Sequence, residues 1–247
     1  MLRRLAHLFL VSCAALVAAE PALPKLYLIG GSTMATFPPE RPVVGWGQML
    51  PQFFKDPAQI DNRARSGRST KSFIDEGHWE KTIGDIRAGD FLIMCWGTND
   101  SSSDPKRRTE PRGEFVANLR RFIREIRAKG ATPILATQVA HRRWNDKGEW
   151  TETASDYVRV NRELSASERV PLLELYERTT ALEKNLGFEG SRALHLHFAP
   201  GVHPAYPNGA KDDTHYNTHG ATRVAELAVA EIRRLNLPLV AWLHGER

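Results

Sequence analysis

Short apolar runs alternate with amphipathic stretches along most of this chain, and the alternation restricts the folds that it can adopt. Five runs rich in aliphatic residues lie at positions 25–30, 59–61, 90–96, 132–137 and 170–175. Strands separated by helices pair in parallel, because a parallel crossover needs a connection of helical length. The sequence therefore predicts a doubly wound three-layer α/β/α sandwich around a five-stranded parallel sheet.

Two stretches have the periodicity of amphipathic helices. The apolar residues of 113–129 fall on one helical face, and Gly130 supplies a stop. A second helix is predicted over 218–235, behind a cap at Asn217 or Thr218. Both stretches are long enough to cover one face of the predicted sheet.

Two other stretches are predicted to be long loops. Residues 139–156 are rich in Arg, Trp, Asp and Gly, and residues 195–217 are rich in His, Pro and Gly. Loops of this length in a compact domain are usually functional. The second contains His195, His197 and His203, and His-x-His pairs occur in zinc sites. No Asp or Glu lies between the first and last of them, so we interpret them as loop histidines and expect no metal.

The first nineteen residues differ from the rest of the chain. Arg3 and Arg4 precede an almost wholly apolar stretch that ends in small residues at Ala19. This pattern is typical of a secretory signal peptide and is short for a membrane span. We expect a signal peptide over 1–19, a single domain over 20–247, and export to the periplasm or the extracellular space.

A second interpretation of the amino terminus involves Cys13. The sequence Leu-Val-Ser-Cys that ends there suits a lipoprotein signal, which would tie the protein to a membrane through a lipid on this cysteine. Cleavage after residue 19 would instead leave Cys95 alone and exclude an intramolecular disulfide. It would also lower Lys+Arg from 34 to 32 against 29 acids, so the net charge falls from +5 to +3. A small positive charge suits a polyanionic substrate, and we expect no nucleic-acid partner.

The first predicted strand ends in the sequence Gly-Gly-Ser-Thr. In parallel sheets ligands bind beyond the carboxyl ends of the strands. Gly30 and Gly31 permit a sharp turn that presents Ser32 at this edge. Taken alone, a serine after two glycines is more often only part of a turn.

The next two strand ends carry groups suited to acyl transfer. NRARSGRST (62–70) and CWGTND (95–100) each place a glycine and a small or amide residue at the same edge. Acyl transfer needs hydrogen-bond donors aimed at the developing oxyanion. The Gly67 N–H and the Asn99 amide are candidates, although either residue could merely shape a turn.

The segment DDTH (212–215) supplies a carboxylate and an imidazole. A spacing of three in a turn-like segment brings Asp212 close to His215. A carboxylate in this position would orient the imidazole while its other nitrogen takes a serine proton. The alternative is a helix-start cluster in which Asp213 or Thr214 caps backbone N–H groups.

Taken in order, GGST, SGRST, GTND and DDTH resemble the conserved blocks of the SGNH or GDSL-type serine hydrolases. Within that family, GWGQ (45–48), NRARSGRST and DDTHYNTHGA are similar to the rhamnogalacturonan acetylesterase group of carbohydrate esterases. The resemblance spans residues 25–235. It implies a flavodoxin-like arrangement of the sheet.

The resemblance also implies roles for individual residues. Ser32 matches the nucleophile, Asp212 the acid and His215 the base, and the Ser32 N–H would join Gly67 and Asn99 in the oxyanion hole. No metal or organic cofactor is implied. Two positions depart from the family pattern: Gly31 stands where an aspartate is usual, and Thr98 where relatives often carry histidine.

The implied substrate is an acetylated acidic polysaccharide of the pectin type. Arg142 and Arg143 follow the fourth predicted strand, where guanidinium groups could pair with uronate carboxylates. Trp144 could stack on a sugar ring. Against this, loop arginines are mostly solvated and tryptophans are usually packed.

Two other functions remain open at this point. A lipase or thioesterase would use the same serine chemistry on another acyl group, but it would need an apolar cleft, and the edge loops here are rich in Arg, Asp, Asn and Ser. A catalytically impaired carbohydrate-binding relative is the other alternative, because Gly31 replaces the usual aspartate.

Overall fold

Five parallel strands form the central sheet of the computed structural model, which describes residues 23–245. They are β1 (Leu26–Gly30), β2 (Ile60–Asn62), β3 (Phe91–Trp96), β4 (Thr132–Thr137) and β5 (Leu172–Leu173). Their order across the sheet is β2-β1-β3-β4-β5, which is the order of the flavodoxin-like doubly wound fold. The predicted three-layer sandwich is therefore confirmed, and each of the five predicted runs holds one strand.

Seven α-helices accompany the sheet in the described residues. They are α1 (Trp46–Met49), α2 (Thr70–Asp75), α3 (His78–Asp85), α4 (Val116–Ala128), α5 (Asp156–Glu168), α6 (Leu175–Gly190) and α7 (Thr218–Arg234). The two helices expected from periodicity are α4 and α7. Asn217 caps α7, as expected, by accepting a hydrogen bond from the Gly220 N–H.

The central strands β1 and β3 bury both of their faces, so a hydrophobic core lies on each side of the sheet. Successive side chains of a strand point to opposite faces. Leu26 and Leu28 of β1 therefore pack in one core with α1 and α7, whereas Tyr27 and Ile29 pack in the other with α2 to α5. Because helices cover both faces of the sheet, these strands are continuous apolar runs in the sequence.

The stretch 195–217 is not the long loop that we expected. It contains β6 (His195–Phe198) and β7 (Ala210–Tyr216), which pair antiparallel as a separate two-stranded sheet. Alternation in His-Leu-His-Phe, with Leu196 buried, is the strand signal that the histidines obscured. Residues 139–156 are largely irregular up to the start of α5, as expected, with one isolated bridge between Trp144 and Trp150.

The carboxyl ends of β1 and β3 lie side by side, and the chain leaves them toward opposite halves of the sheet. Such a switch point is where doubly wound sheets bind ligands. The signal peptide expected at 1–19 and the alternative at Cys13 fall outside the described residues. Within residues 23–245, no helix is both long and apolar enough to cross a bilayer.

Candidate active site

Ser32 lies in a tight turn directly after β1. The Gly31 carbonyl accepts hydrogen bonds from the N–H groups of Met34 and Ala35, at 3.2 and 3.1 Å. A side chain at Gly30 would lie 2.7 Å from the Cys95 carbonyl oxygen of the neighbouring strand. The serine is thus held at the sheet edge by backbone packing that requires glycine before it, and it is buried, with 7% of its surface exposed.

A bulge in β7 brings Asp212 and His215 together. Tyr216 pairs with His195, but the next pairing joins Leu196 to Asp212, so the three residues 213–215 have no partner on β6. Asp212 Oδ1 accepts the backbone N–H groups of Thr214 and His215, at 2.9 and 3.0 Å. The expected turn-like segment is therefore a turn inserted into a strand.

Two hydrogen bonds join Ser32, His215 and Asp212. The Ser32 Oγ lies 2.9 Å from His215 Nε2, and His215 Nδ1 lies 2.8 Å from Asp212 Oδ2. An ionised carboxylate can only accept, so Nδ1 carries the ring proton and Nε2 is free to accept the serine proton. This is the proton-transfer geometry of a serine hydrolase.

The carboxyl group of Asp212 is held in its ionised form. Partial burial alone would raise its pKa, but the hydrogen bonds from the His215 ring and from the two backbone N–H groups outweigh burial. The pKa of Asp212 therefore lies far below the ordinary value for aspartate. The imidazole has a fixed negative partner throughout the neutral pH range.

Ser32, Gly67 and Asn99 carry the three hydrogen-bond donors expected for an oxyanion hole. The N–H groups of Ser32 and Gly67 donate to no protein acceptor among residues 23–245, and the Asn99 amide donates one of its two protons to the Arg68 carbonyl at 2.9 Å. Gly67 has φ +77°, a conformation that favours glycine. The arrangement suits an oxyanion hole, because unpaired donors can respond to charge that develops during the reaction.

Gly31 makes room for Asn99. A Cβ atom at position 31 would lie 2.8 Å from Asn99 Nδ2 and 3.4 Å from the Arg68 carbonyl oxygen. The Asn99–Arg68 hydrogen bond therefore joins the turns after β2 and β3 across the position where the family usually has aspartate. With glycine at position 31 in place of aspartate, Ser32 still contacts His215, and the Asn99 amide still contacts the Arg68 carbonyl.

Asp100, next to Asn99, ties the turn after β3 to the start of α2. It is fully buried and accepts hydrogen bonds from the Thr70 N–H and hydroxyl, at 3.1 and 2.5 Å, and from Thr109 Oγ1 at 3.1 Å. Burial raises the pKa of Asp100 to about 6, although these donors oppose the shift. Sequence reasoning did not single out this residue, although it completes the motif GTND.

A second carboxylate–histidine pair lies beneath the first. His195 Nε2 is 2.6 Å from Glu183 Oε1, and both side chains are buried. His195 Nδ1 donates to the backbone carbonyl of His215 at 3.0 Å. His195 is packed in a strand rather than in the loop that we expected, and it fixes the backbone of His215.

Arg142 does not face a substrate. Its guanidinium is buried and donates to Asp213 Oδ1 and Ser191 Oγ, both at 2.9 Å, and to the Phe188 carbonyl. His197 also binds Asp213 Oδ1, at 2.8 Å. The expected contact between Arg142 and a uronate is therefore wrong, because these acceptors occupy the guanidinium. Arg142 instead anchors the residue that follows Asp212.

Arg143 and Trp144 have different surroundings. Arg143 leaves 60% of its side chain exposed and pairs with Glu152 at 2.8 Å. The Trp144 ring packs edge-on against Trp150, with ring centroids 5.2 Å apart. Trp144 is half-buried in this pair, which limits the face that it can offer to a sugar, whereas the Arg143 guanidinium remains accessible.

His141 is a further titratable group near the triad. Burial, followed by the electrostatic influence of Arg143 and of the His215 and His195 rings, lowers the pKa of His141 to about 4, against the opposing effect of Asp212. Its Nε2 is buried and has no hydrogen-bond partner among the described residues. No group of three or more His, Cys, Asp or Glu side chains in residues 23–245 is placed to hold a metal ion.

Comparison with known proteins decides the family. The family model of the GDSL-like lipases and acylhydrolases matches residues 28–223. The chain belongs to the GDSL-like lipase/acylhydrolase family. The family expected from the sequence blocks is confirmed, and the protein is an ester hydrolase.

Two of the similar proteins carry the name rhamnogalacturonan acetylesterase. The acylhydrolase is 36% identical over 216 residues to the rhamnogalacturonan acetylesterase RhgT of Bacillus subtilis (strain 168), covering 87% of this chain and 92% of RhgT. It is 32% identical to the probable rhamnogalacturonan acetylesterase YesY of the same organism, covering 90% of this chain and 98% of YesY. The crystal structure of YxiM from Bacillus subtilis matches with a TM-score of 0.73 at 27% identity, over 87% of this chain and 57% of that chain.

Proposed function

We propose that this acylhydrolase removes acetyl groups from an acetylated pectic polysaccharide of the rhamnogalacturonan type, through Ser32 and an acyl-enzyme. The observation that carries the proposal is the pair of hydrogen bonds, 2.9 and 2.8 Å long, that joins Ser32, His215 and Asp212. The relatives RhgT and YesY, which carry the name rhamnogalacturonan acetylesterase, support the substrate class.

In the first half of the proposed reaction, His215 Nε2 takes the Ser32 proton while Ser32 Oγ bonds to the ester carbonyl carbon. The carbonyl electrons move to oxygen, where the N–H groups of Ser32 and Gly67 and the Asn99 amide stabilise the oxyanion. When the carbonyl re-forms, the bond to the sugar oxygen breaks and His215 gives that oxygen the proton. The products are acetyl-Ser32 and a sugar hydroxyl.

In the second half, water attacks the acetyl carbonyl while His215 takes one of its protons. The bond to Ser32 Oγ breaks, His215 returns the proton to Ser32, and acetate leaves. Asp212 stays ionised throughout, because its pKa lies far below neutral pH, and it stabilises the imidazolium that forms in each half.

The surface beside the site is polar, which favours a carbohydrate over a lipid. A cleft next to Gly67 is lined by charged side chains: Arg68, Lys71, Asp75, Glu76, Asp104, Lys106 and Arg107. Within residues 23–245, the large apolar side chains that are well exposed are Leu23, Leu186 and Val202, and none of them lines this cleft. A lipase would need apolar surface here to hold a long acyl chain.

We also propose that the protein is exported. The basis is the sequence pattern of residues 1–19, with lipid attachment at Cys13 as the alternative route. Amino-terminal sequencing of the protein from its native host tests this. A start near residue 20 supports signal-peptide removal, a blocked and lipid-bearing Cys13 supports anchoring, and an intact Met1 on most of the protein contradicts export.

The test of the substrate is acetate release from three polymers: acetylated rhamnogalacturonan, acetylated homogalacturonan and acetylated xylan. We expect kcat/KM to be highest on rhamnogalacturonan and to vanish in the Ser32→Ala variant. Equal rates on xylan would contradict a pectic substrate. Activity on long-chain esters without acetate release would favour a lipase, and no activity on any ester would favour a carbohydrate-binding protein.

A further inference from the structure

A small depression beside Ser32 is placed to hold the acyl group of the ester. It lies at the carboxyl ends of β1 to β4, where its lining includes Ser32, Arg68, Gly97, Asn99 and Gln138. Neither Gly67 nor His215 lines it. The depression therefore adjoins the nucleophile on the side of Asn99, away from the base.

The geometry of acyl transfer leaves one direction for the acyl chain. The tetrahedral carbon carries the serine oxygen, the oxyanion, the leaving oxygen and the acyl chain. The oxyanion must face Gly67 and Asn99, and the leaving oxygen must face His215, because that group protonates it. The remaining substituent is the acyl chain, and the depression offers it space beside Ser32, next to Asn99 and away from His215.

Gln138 closes the far side of this depression. A side chain at Gly97 would collide with Gln138 Oε1 and would come within 3.1 Å of Tyr157 Cβ. The amide of Gln138 thus lies directly over the Gly97 backbone, whose φ of +132° favours glycine. Gln138 itself is buried, with 7% of its surface exposed, so it fills the space into which a longer acyl chain would extend.

The oxygen of the Gln138 amide lacks a hydrogen-bond partner. Its Oε1 is buried and accepts no hydrogen bond within residues 23–245. A buried polar atom without a partner costs free energy, so packing alone is a poor explanation for a glutamine here. The methylene groups of a longer acyl chain, packed against this oxygen, would shield it from water and would gain little hydrophobic stabilisation.

We propose that Gln138 is the residue that limits this enzyme to short acyl groups. Its side chain closes the acyl pocket over Gly97 and leaves space for an acetyl methyl group and not for a longer chain. This inference rests on the proposed serine esterase function and adds to it the feature that selects the acyl group.

The experiment measures kcat/KM on p-nitrophenyl acetate, propionate and butyrate for the native protein, Gln138→Ala and Gln138→Ser. Both variants remove the side chain that closes the pocket, and either one suffices if the other folds poorly. We expect the butyrate-to-acetate ratio to rise at least about tenfold in each, since pockets discriminate single methylenes by about tenfold or more. Gln138→Met is the matched control, because it keeps the bulk and removes the amide, and its ratio should stay within about threefold of native.

The outcomes separate the inference from the function beneath it. A native protein without activity on p-nitrophenyl acetate contradicts the proposed esterase function. An active native protein whose butyrate-to-acetate ratio is unchanged in Gln138→Ala and Gln138→Ser contradicts the role of Gln138 alone. A rise in Gln138→Met as large as in Gln138→Ala contradicts the claim that the bulk of the side chain sets the limit.

Discussion

Arg142 and Arg143 are adjacent in sequence and differ in almost every physical respect. The first is buried among three acceptors, and the second is 60% exposed with one ion pair. Breaking a buried hydrogen-bonded charge leaves its partners without donors, whereas an exposed ion pair contributes little. Neighbouring arginines therefore have different roles at the residue scale.

This difference predicts that two alanine variants lose different amounts of stability. Arg142→Ala should lower the free energy of unfolding by about 2–3 kcal/mol, and it should change KM equally on acidic pectin and on a neutral aryl acetate. Arg143→Ala should cost below about 1 kcal/mol. Chemical denaturation and paired kinetics measure both. A stable Arg142→Ala protein whose KM rises only on acidic pectin would restore the direct contact that we have rejected.

The lowered pKa of His141 predicts that the stability of the protein depends on pH. Its pKa is about 4 in the folded protein and near 6.5 when unfolded. Between these values the unfolded chain binds the proton more readily, so the free energy of unfolding falls as pH falls from 6.5 to 4. Native protein should lose up to about 3 kcal/mol more than His141→Asn over this range. Parallel denaturation curves at pH 7 and pH 4 for the two proteins would contradict a buried neutral His141.

The sequence predicts the site residues that lie at strand ends and misses those that act across the fold. Ser32, Gly67 and Asn99 each follow an apolar run, so local pattern and parallel pairing place them together. The contact between His195 and Glu183 joins a strand to the middle of α6. Only burial creates that pair, and no local pattern at either residue records it.

At the element scale, α7 packs closely against the segment before β6 because residue 220 has no side chain. A Cβ at Gly220 would collide with the Leu194 carbonyl oxygen and would lie 2.9 Å from the Tyr216 ring. The backbone of α7 can approach only because residue 220 is glycine. Since β7 carries Asp212 and His215 directly before this helix, the contact helps to fix the triad.

Two glycine-to-alanine variants in helices test this close approach. Gly220→Ala should lower the free energy of unfolding by about 1–3 kcal/mol, because backbone atoms must move to admit the methyl group. Gly84→Ala in α3 meets no atom within 4 Å and should raise it by about 0.5 kcal/mol, through helix propensity. Thermal unfolding of both variants provides the comparison. Equal effects would mean that the contact at residue 220 does not constrain the helix.

Elements with a simple pattern were predictable, and the hairpin of β6 and β7 was not. The strands β1, β3 and β4 are buried on both faces, which gives long apolar runs. In contrast, β6 and β7 form a small sheet of their own, and most of the β7 residues are only half-buried. Many of their polar residues belong to the triad or contact it, and a sequence this polar resembles that of a loop.

At the scale of the whole molecule, the fold brings together groups that are far apart in sequence. Ser32 and His215 are 183 residues apart, and their side chains meet at 2.9 Å. A parallel sheet makes this possible because all its strands end at one edge, and β7 brings His215 to that edge beside Ser32. The central claim is that this contact transfers a proton during ester hydrolysis.

The most direct test is mass spectrometry of acid-quenched protein after brief exposure to p-nitrophenyl acetate. The account predicts one added acetyl group, located on the peptide that contains Ser32, and a rate of acetylation at least about 10⁴-fold lower in His215→Gln. An acetyl group on another residue, or acetylation of His215→Gln at the native rate, would contradict it.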